Sequence, residues 1–163
     1  MEIEGSCYCG AVKFSAISHT PYPYIRCYCS FCRKTSGSGG YGINIMAQAE
    51  TLAVRGEKAL VFHHGLQHDP STDALVTSPG QRHFCRHCGS PLWTADPRWT
   101  EWIYPFASAI DSPLPRPPEV VHIMLEFAAP WVEVPAGENH RHFNRYPDES
   151  ILAWHQRHGL YQS

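Results

Sequence analysis

Three cysteines stand within six residues in the segment Cys27-Tyr-Cys-Ser-Phe-Cys32, and two cysteine pairs flank it in Cys7-Tyr-Cys9 and Cys85-Arg-His-Cys88. A tetrahedral zinc ion holds its thiolates at about 2.3 Å, so its ligands come from close pairs on tight turns, whereas disulfide frameworks spread single cysteines widely. The seven cysteines are also an odd number, which would leave one thiol over in a secreted disulfide scaffold. The clustering therefore predicts metal binding, with four cysteines at one site and three at another.

The first predicted site joins Cys7 and Cys9 to Cys85 and Cys88. Residues two apart in an extended segment point to the same side, so the first pair can reach one ion just before Gly10 turns the chain. The second pair resembles a zinc knuckle, in which two intervening residues bring both sulfurs together. Four thiolates complete a tetrahedron, so we expect a structural zinc ion here. The alternative is that one pair is simply buried and packs as small hydrophobic side chains.

The second predicted site has only three thiolates, from Cys27, Cys29 and Cys32, and therefore keeps one coordination position for water or a substrate. A substrate thiol that coordinates zinc loses its proton and can attack a small aldehyde. We therefore predict a labile or catalytic zinc ion held by these three cysteines. Two alternatives stay open: a histidine completes the site and makes it structural, or two of the cysteines form a redox pair.

Basic and hydroxyl side chains follow the three cysteines directly. Arg33, Lys34 and Ser36 are predicted to lie in a flexible, donor-rich loop together with Ser38 and the neighbouring glycines. Such donors suit the carboxylates of a thiol peptide. The sequence therefore predicts Arg33, Lys34 and Ser36 as substrate-binding residues.

Short apolar runs dominate the rest of the chain. Fourteen prolines and twelve glycines separate these runs, and few of them have the 3.6-residue period of a helix, which predicts a mainly β fold. One short helix is predicted in the segment 148–158, after Pro147. Turns are predicted at four glycines, Gly10, Gly56, Gly80 and Gly89. The predicted strands are 11–17, 24–28, 41–47, 51–55, 59–63, 74–77, 82–85, 92–94, 102–106, 120–127 and 131–134.

Length, charge and composition narrow the class of protein. The chain has 163 residues without a change of composition, so we expect one domain over residues 1–163. The 13 lysines and arginines are spread along the chain and the net charge is −2, which argues against a nucleic-acid partner. Neither a leader peptide nor a run of 18 apolar residues is found, so we expect a cytoplasmic protein with no membrane partner. No prediction of oligomeric state follows from these features.

Three segments are similar to the glutathione-dependent formaldehyde-activating enzyme family, also called GFA or CENP-V-like. They are Gly5-Ser-Cys-Tyr-Cys-Gly-Ala-Val-Lys-Phe14, Cys27-Tyr-Cys-Ser-Phe-Cys-Arg-Lys-Thr-Ser-Gly-Ser38 and Phe84-Cys-Arg-His-Cys-Gly-Ser-Pro-Leu92. They occur in the family's order and spacing. The resemblance covers residues from about 5 to 135 and leaves residues 136–163 as a C-terminal extension.

This resemblance implies a zinc-bearing, mainly β domain known as a β-tent. It implies a closed metal site from the four outer cysteines and a labile site from the central three. The implied reaction joins a small-molecule thiol, glutathione, to the aldehyde formaldehyde, and is formally a carbon–sulfur lyase reaction run backwards. Two positions depart from the family pattern: Tyr28 replaces the usual histidine of a Cys-His-Cys segment, and Ser108-Ala-Ile-Asp111 replaces a Gly-Ser/Thr-Leu-Asp segment.

The predicted function is therefore a zinc-dependent carbon–sulfur lyase or ligase that adds a small thiol such as glutathione to formaldehyde or a related electrophile. The alternative hypothesis is a non-catalytic zinc module in which both sites are structural. A third hypothesis is a redox or metal sensor with a disulfide among the central cysteines. The fourth ligand of the second site separates the first two hypotheses, because a protein side chain there favours the structural module.

Overall fold

The computed structural model describes residues 1–36, 38–69 and 71–163. In these ranges the chain forms twelve strands and two α-helices. The helices are α1, Ser30–Ser36, and α2, Ile151–Arg157. The strands are β1 Glu2–Ser6, β2 Lys13–Ile17, β3 Ile25–Cys27, β4 Gly42–Ile43, β5 Ala47–Gln48, β6 Ala53–Arg55, β7 Leu60–His68, β8 Leu75–Cys85, β9 Pro91–Ala95, β10 Trp102–Pro105, β11 Val120–Ile123 and β12 His140–His142. Neither of the described helices has the length and apolar character needed to cross a bilayer.

The strands form three sheets. The first sheet has the order β1-β2-β6 and the second has the order β5-β10-β9-β8-β7, and both are antiparallel. The third sheet has the order β12-β11-β3-β4, and its central strand β11 pairs in parallel with both neighbours. Strand β8 of the second sheet ends at Cys85 and strand β3 of the third ends at Cys27. The sheets thus position one member of each cysteine cluster.

The first two sheets share one hydrophobic core. Alternation along the strands buries Ile3 of β1 and Phe14 of β2, and the ring of Phe14 lies 5.2 Å from that of Trp93 in β9. Cys7 and Cys85 belong to the same core, with exposed fractions of 2% and 0%. The first cysteine cluster is therefore built into the main core of the protein.

A second buried cluster joins helix α2 to the third sheet. Trp154 of α2 is fully buried, and its ring is stacked on Tyr24 with centroids 3.8 Å apart. The indole Nε1 of Trp154 donates to Glu119 at 2.9 Å, and Arg157 pairs with the same carboxylate at 3.2 Å. Ser150 caps the helix by accepting a backbone hydrogen bond with its side chain. These contacts fix the C-terminal helix to the sheet that carries the central cysteines.

The main features of the predicted fold are confirmed. The described chain is mainly β, and the helix expected after Pro147 is present as α2. Gly10, Gly56 and Gly89 have positive φ angles, as predicted for turns. The predicted strands 24–28, 51–55 and 120–127 are present in shorter form as β3, β6 and β11, and 41–47 is divided between β4 and β5.

The predicted turn at Gly80 is wrong. Strand β8 runs through this position and joins the predicted strands 74–77 and 82–85. The register between β7 and β8 shifts between His64 and Leu66, and Nδ1 of His64 lies 3.0 Å from the carbonyl oxygen of Ser78 and 3.2 Å from that of Gly80. Residues 78–80 of β8 therefore form a bulge, which the side chain of His64 contacts, and the strand continues on both sides of it.

The strand predicted at 131–134 is also wrong, since this segment has a turn and no regular structure. Pro130 and Pro135 flank it, and each proline lacks the N–H group that a sheet ladder requires. Two strands were not predicted from the sequence, β1 and β12. The short strand β12, His-Arg-His, has no apolar alternation and forms by parallel pairing with β11.

The segment after the central cysteines forms helix α1, where the sequence predicted a loop. The backbone N–H of Arg33 donates to the carbonyl oxygen of Cys29, which is the first helical hydrogen bond. The backbone N–H of Cys32 donates to Sγ of Cys29 at 3.3 Å. Cys29 therefore occupies the N-cap position and its sulfur replaces the usual hydroxyl or carboxylate cap, which the rules for helix starts do not anticipate.

Candidate metal centres

The first cysteine cluster brings Cys7, Cys9, Cys85 and Cys88 together, with all four sulfurs within 4.8 Å of one another. Sγ of Cys9 lies 3.6 Å from that of Cys7 and 3.8 Å from that of Cys85. An ion with tetrahedral bonds of about 2.3 Å separates its sulfurs by about 3.8 Å, so the observed spacing fits zinc. The four cysteines can therefore hold a metal ion, as their sequence spacing predicted.

Two glycine turns shape this cluster. The N–H of Gly10, at φ 74°, donates to the carbonyl oxygen of Cys7 at 2.9 Å, and the N–H of Gly89, at φ 73°, donates to that of Cys85 at 2.8 Å. The hydroxyl of Ser90 lies 3.2 Å from Sγ of Cys88. This hydrogen bond is the main reason why the pKa of the Cys88 thiol is lowered to about 5. The cluster thus has two tight turns and a hydrogen-bond donor for an ionised sulfur.

The second cluster brings together Cys27, Cys29 and Cys32, whose sulfurs also lie within 4.8 Å of one another. Cys27 ends β3, Cys29 caps helix α1 and Cys32 lies in the first turn of that helix. Among the described side chains, which do not include that of His68, no histidine, cysteine or carboxylate joins this group as a fourth member. The three cysteines can hold a metal ion from one side. The alternative in which a histidine completes the site has no support among the described side chains.

The three thiols of the second cluster shift one another's pKa values in opposite directions, so a bound cation is needed to stabilise all three as thiolates. Hydrogen bonds from Cys27 and then Cys32 lower the pKa of Cys29, whereas hydrogen bonds with Cys29 and Cys32 raise the pKa of Cys27. Without a cation, one thiolate is therefore stabilised at the expense of its neighbours.

Arg82 is the residue beside the second cluster that the sequence did not reveal. Its Nη1 and Nη2 atoms lie 3.8 Å and 3.9 Å from Sγ of Cys32, and its guanidinium group lies 3.8 Å from the ring centre of Phe31. The residue belongs to β8, far from the cluster in sequence, and is opposite His63 in β7. No local sequence signal indicates this contact, because Arg82 and Cys32 are 50 positions apart in the chain.

A cavity of about 260 Å³ adjoins Arg82. Helix α1 contributes Lys34 and Thr35 to its wall, and the second sheet contributes His63, Arg82 and Phe84 among others. The cavity therefore lies between the helix that carries Cys32 and the face of the five-stranded sheet. Arg82 connects the cavity to the second cysteine cluster, because it lines the cavity and contacts Cys32.

The three predicted substrate-binding residues occupy different environments. Lys34 is exposed and lines the cavity. Ser36 donates its hydroxyl hydrogen to the carbonyl oxygen of Cys32 at 2.8 Å, so this hydroxyl is engaged within the helix. Arg33 has a buried Nε atom without a hydrogen-bond partner. Substrate binding by these three side chains stays a prediction.

Tyr28, at the position where the family pattern has histidine, lies in the core. Its side chain is fully buried, and its hydroxyl lies 2.8 Å from Nδ1 of His122. Nε2 of His122 in turn lies 2.9 Å from Nδ1 of His140, and the ring of His142 is stacked on His122 at 4.9 Å. His122 is therefore a buried residue within the predicted strand 120–127, and it belongs to a hydrogen-bonded chain that the sequence did not indicate.

The structure also places Asp111 and the histidines of the segment 63–68. Asp111 accepts a hydrogen bond of 2.6 Å from the hydroxyl of Ser6, directly before the first cysteine pair. His63 is the last residue of the predicted strand 59–63, and in the structure it lies together with His64 in the longer strand β7. The side chain of His68 lies outside the described part of the structure.

The chain is similar to a known protein family and to a curated protein of that name. The model of the family described as glutathione-dependent formaldehyde-activating enzyme matches residues 2–125. A curated protein of Halomonas elongata is 56% identical over 160 residues, which cover 98% of both chains, and carries the provisional name glutathione-dependent formaldehyde-activating enzyme. A crystal structure of a Rhodobacter sphaeroides protein is 24% identical, with a TM-score of 0.47, over 69% of this chain and 91% of that chain. On the family match and the identity to the Halomonas protein, this chain belongs to the glutathione-dependent formaldehyde-activating enzyme family.

Proposed function

We propose that this protein catalyses carbon–sulfur bond formation between a small thiol, with glutathione as the first candidate, and formaldehyde or a related small electrophile. The observation that carries the proposal is the three-cysteine group, which has no fourth ligand among the described residues. Such a group leaves room for a substrate at a bound metal ion. The names of the family and of the Halomonas relative support the choice of thiol and aldehyde.

The metal proposed for both sites is zinc. All ligands are thiolates, and a group of four sulfurs at tetrahedral spacing is typical of structural zinc. We assign the structural ion to the cluster that includes the core residues Cys7 and Cys85, and the labile or catalytic ion to Cys27, Cys29 and Cys32. These thiols must stay reduced to bind metal, which agrees with the cytoplasmic location predicted from the sequence.

In the proposed reaction the thiol sulfur forms a bond to the carbonyl carbon, the C=O π bond breaks, and the thiol proton is transferred to the carbonyl oxygen. A zinc ion at the three cysteines would supply a Lewis acid that keeps the substrate thiol ionised at neutral pH. The protein's own contribution is mainly positioning, because holding the reactants together removes much of the entropic barrier of a bimolecular step. Lys34 carries a positive charge beside this site that suits the carboxylates of glutathione.

Exchange spectroscopy by NMR tests the proposal, because the thiol adds to formaldehyde without an enzyme and net consumption alone is a poor measure. Wild-type protein is expected to raise the exchange rate between free and S-hydroxymethylated glutathione. Cys29→Ser is expected to reduce the rate to that of buffer. Equal rates for the wild type and Cys29→Ser would reject catalysis at this site and favour the alternative in which both metal sites are structural.

A matched pair of lysine variants tests the predicted contribution of Lys34. Lys34→Ala is expected to raise the KM for glutathione, because Lys34 lines the cavity beside the cysteines. Lys58→Ala removes the same charge from an exposed position elsewhere and should leave the KM unchanged. An unchanged KM for Lys34→Ala would remove this residue from the proposed binding site.

A further inference from the structure

The cavity beside helix α1 is positively charged. Of its lining residues in the described chain, Lys34 and Arg82 are cationic, His63 and His83 are histidines, and none is acidic. Its volume of about 260 Å³ lies just below the range that begins at about 300 Å³ for ligand pockets. The cavity is therefore suited to a small anionic molecule or to an anionic part of a larger one.

The guanidinium group of Arg82 is held in a fixed place. It is stacked on the ring of Phe31, and two of its nitrogens point to Sγ of Cys32. Phe31 is itself packed tightly, because a Cβ atom at Gly65 would lie only 2.7 Å from its ring. The stacking and the sulfur contact orient the group before any ligand binds, which reduces the entropy lost on binding.

Arg82 also has unused hydrogen-bonding capacity. A guanidinium group has five N–H donors in a planar fork. Cys32 is its one hydrogen-bond acceptor in the described chain, and neither Arg82 nor Lys34 has an acidic partner there within ion-pair distance. One edge of the fork is thus free to bind a carboxylate in a bidentate manner.

The position of Arg82 limits which anion would use it. Since Arg82 contacts Cys32 directly, a carboxylate bound to it lies immediately beside the three-cysteine group. A ligand that also places its sulfur at this group must therefore carry its thiol and its carboxylate close together, as the cysteinyl-glycine part of glutathione does. Formaldehyde carries no charge and gains nothing from this arrangement.

We propose that Arg82 and Lys34 form a carboxylate-binding subsite for the thiol substrate, in which Arg82 binds the carboxylate nearest the thiol and so selects acidic thiols over neutral ones. This inference rests on the proposed function, since it states which residues bind the carboxylate of the proposed thiol substrate. It adds Arg82, which sequence patterns did not indicate, to the binding residues.

Direct binding separates the subsite from catalysis. The probe is S-methylglutathione, which keeps both carboxylates but has no thiol proton, and its dissociation constant is measured by isothermal titration calorimetry with the zinc-loaded protein. Arg82→Met keeps an unbranched apolar stem and removes the guanidinium group with its charge. It is expected to weaken binding by about tenfold to a hundredfold, which is the range for losing hydrogen bonds to a charged group.

Two controls make the comparison specific. Arg55→Met removes an exposed arginine from the first sheet, away from the cavity, and should bind the probe like the wild type. Arg82→Lys keeps the charge without the planar fork and should show an intermediate loss. Zinc content per chain and circular dichroism report whether each variant is folded and loaded.

The wild type alone provides a second test, which does not depend on the folding of a variant. The dimethyl ester of S-methylglutathione lacks both negative charges, and it should bind the wild type at least tenfold more weakly than the acid. Arg82→Met should discriminate much less between acid and ester. Equal affinity of the wild type for acid and ester, or equal affinity of the wild type and Arg82→Met for the acid, would overturn the subsite.

These results also distinguish the two proposals. Binding that depends on Arg82 in a protein that does not accelerate the addition would support the subsite and reject the proposed reaction. Acceleration by the wild type, with an unchanged KM for glutathione in Arg82→Met, would reject the subsite and keep the reaction. For 2-mercaptoethanol, a thiol without a carboxylate, the KM should be the same in wild type and Arg82→Met, and a parallel rise for both thiols would show that Arg82 only supports Cys32.

Discussion

Acid is expected to destabilise the folded protein through His122. This histidine is fully buried, and both ring nitrogens are hydrogen-bonded, to Tyr28 and to His140. Burial first, and then the positive charges of His142, Arg26 and His140, lower its pKa from 6.5 to about 4. The folded state therefore resists protonation of this imidazole, whereas the unfolded chain does not.

The size of the effect follows from the difference between the two pKa values. Between pH 6.5 and about 4 the unfolded state binds more protons than the folded state, so the free energy of unfolding falls as the pH falls. The slope is at most about 1.36 kcal/mol per pH unit for one group, and a window of about 2.5 units (6.5 − 4) gives a total near 3 kcal/mol. Above pH 6.5 this histidine makes no contribution to the slope, and below about 4 the loss is complete.

Urea unfolding at pH 7.0 and pH 5.0 measures this effect. The variant His122→Asn keeps a hydrogen-bonding side chain but cannot titrate, and His87→Asn removes an exposed histidine as a control. Acid also protonates the cysteines and releases metal, but it does so in all three proteins and cancels in the comparison. The wild type and His87→Asn should lose about 2 kcal/mol more than His122→Asn between these pH values. If all three proteins lose stability in parallel, His122 accepts a proton in the fold and the reasoning fails.

Three further predictions concern stability. Gly56→Ala is expected to destabilise the protein by at least about 2 kcal/mol, because φ is +84° and the new Cβ atom would lie 1.8 Å from a backbone carbonyl oxygen. Gly159→Ala is the control, because φ is +66° there but no atom lies near the new Cβ, and it should cost only about 1 kcal/mol. Thermal unfolding measures both losses. Cys85→Ser should lower the Tm far more than Cys29→Ser, because Cys85 is buried in the main core; a larger drop for Cys29→Ser would reverse the assignment of the structural site. Ser150→Ala should lose about 1 kcal/mol in urea unfolding because it removes the N-cap of α2, and an unchanged stability would show that packing alone holds the helix.

Cysteine spacing was the most informative part of the sequence. It predicted which four and which three cysteines come together, because metal ligands arise from short local motifs whose geometry a turn dictates. Helix α2 was predictable for a similar reason, since its cap and its apolar residues are local features. The cysteine clusters and helix α2 could thus be predicted because each depends on residues that are close together in sequence.

Two of the features that were missed depend on contacts between distant segments. Strand β12 forms because β11 offers a parallel partner, and nothing in its own residues favours a strand. Arg82 reaches Cys32 across 50 positions of sequence. Helix α1 was missed for a local reason, because a cysteine sulfur caps it and the rules for helix starts do not include that cap.

The substitution of tyrosine at position 28 is explained by the alternation of the extended chain. Cys27 and Cys29 lie on either side of Tyr28 and turn their sulfurs toward the three-cysteine group, so the side chain between them points the opposite way, into the core. There its hydroxyl makes a hydrogen bond with His122, a bond that a ring without a polar group could not make. The departure from the family pattern therefore changes the buried side of the loop and leaves the three sulfurs in place. Tyr28→Phe should accordingly reduce stability by about 1–3 kcal/mol, because it leaves a buried ring nitrogen unpaired, without reducing the zinc bound per chain. A loss of zinc in this variant would show that the core and the metal site are coupled through position 28.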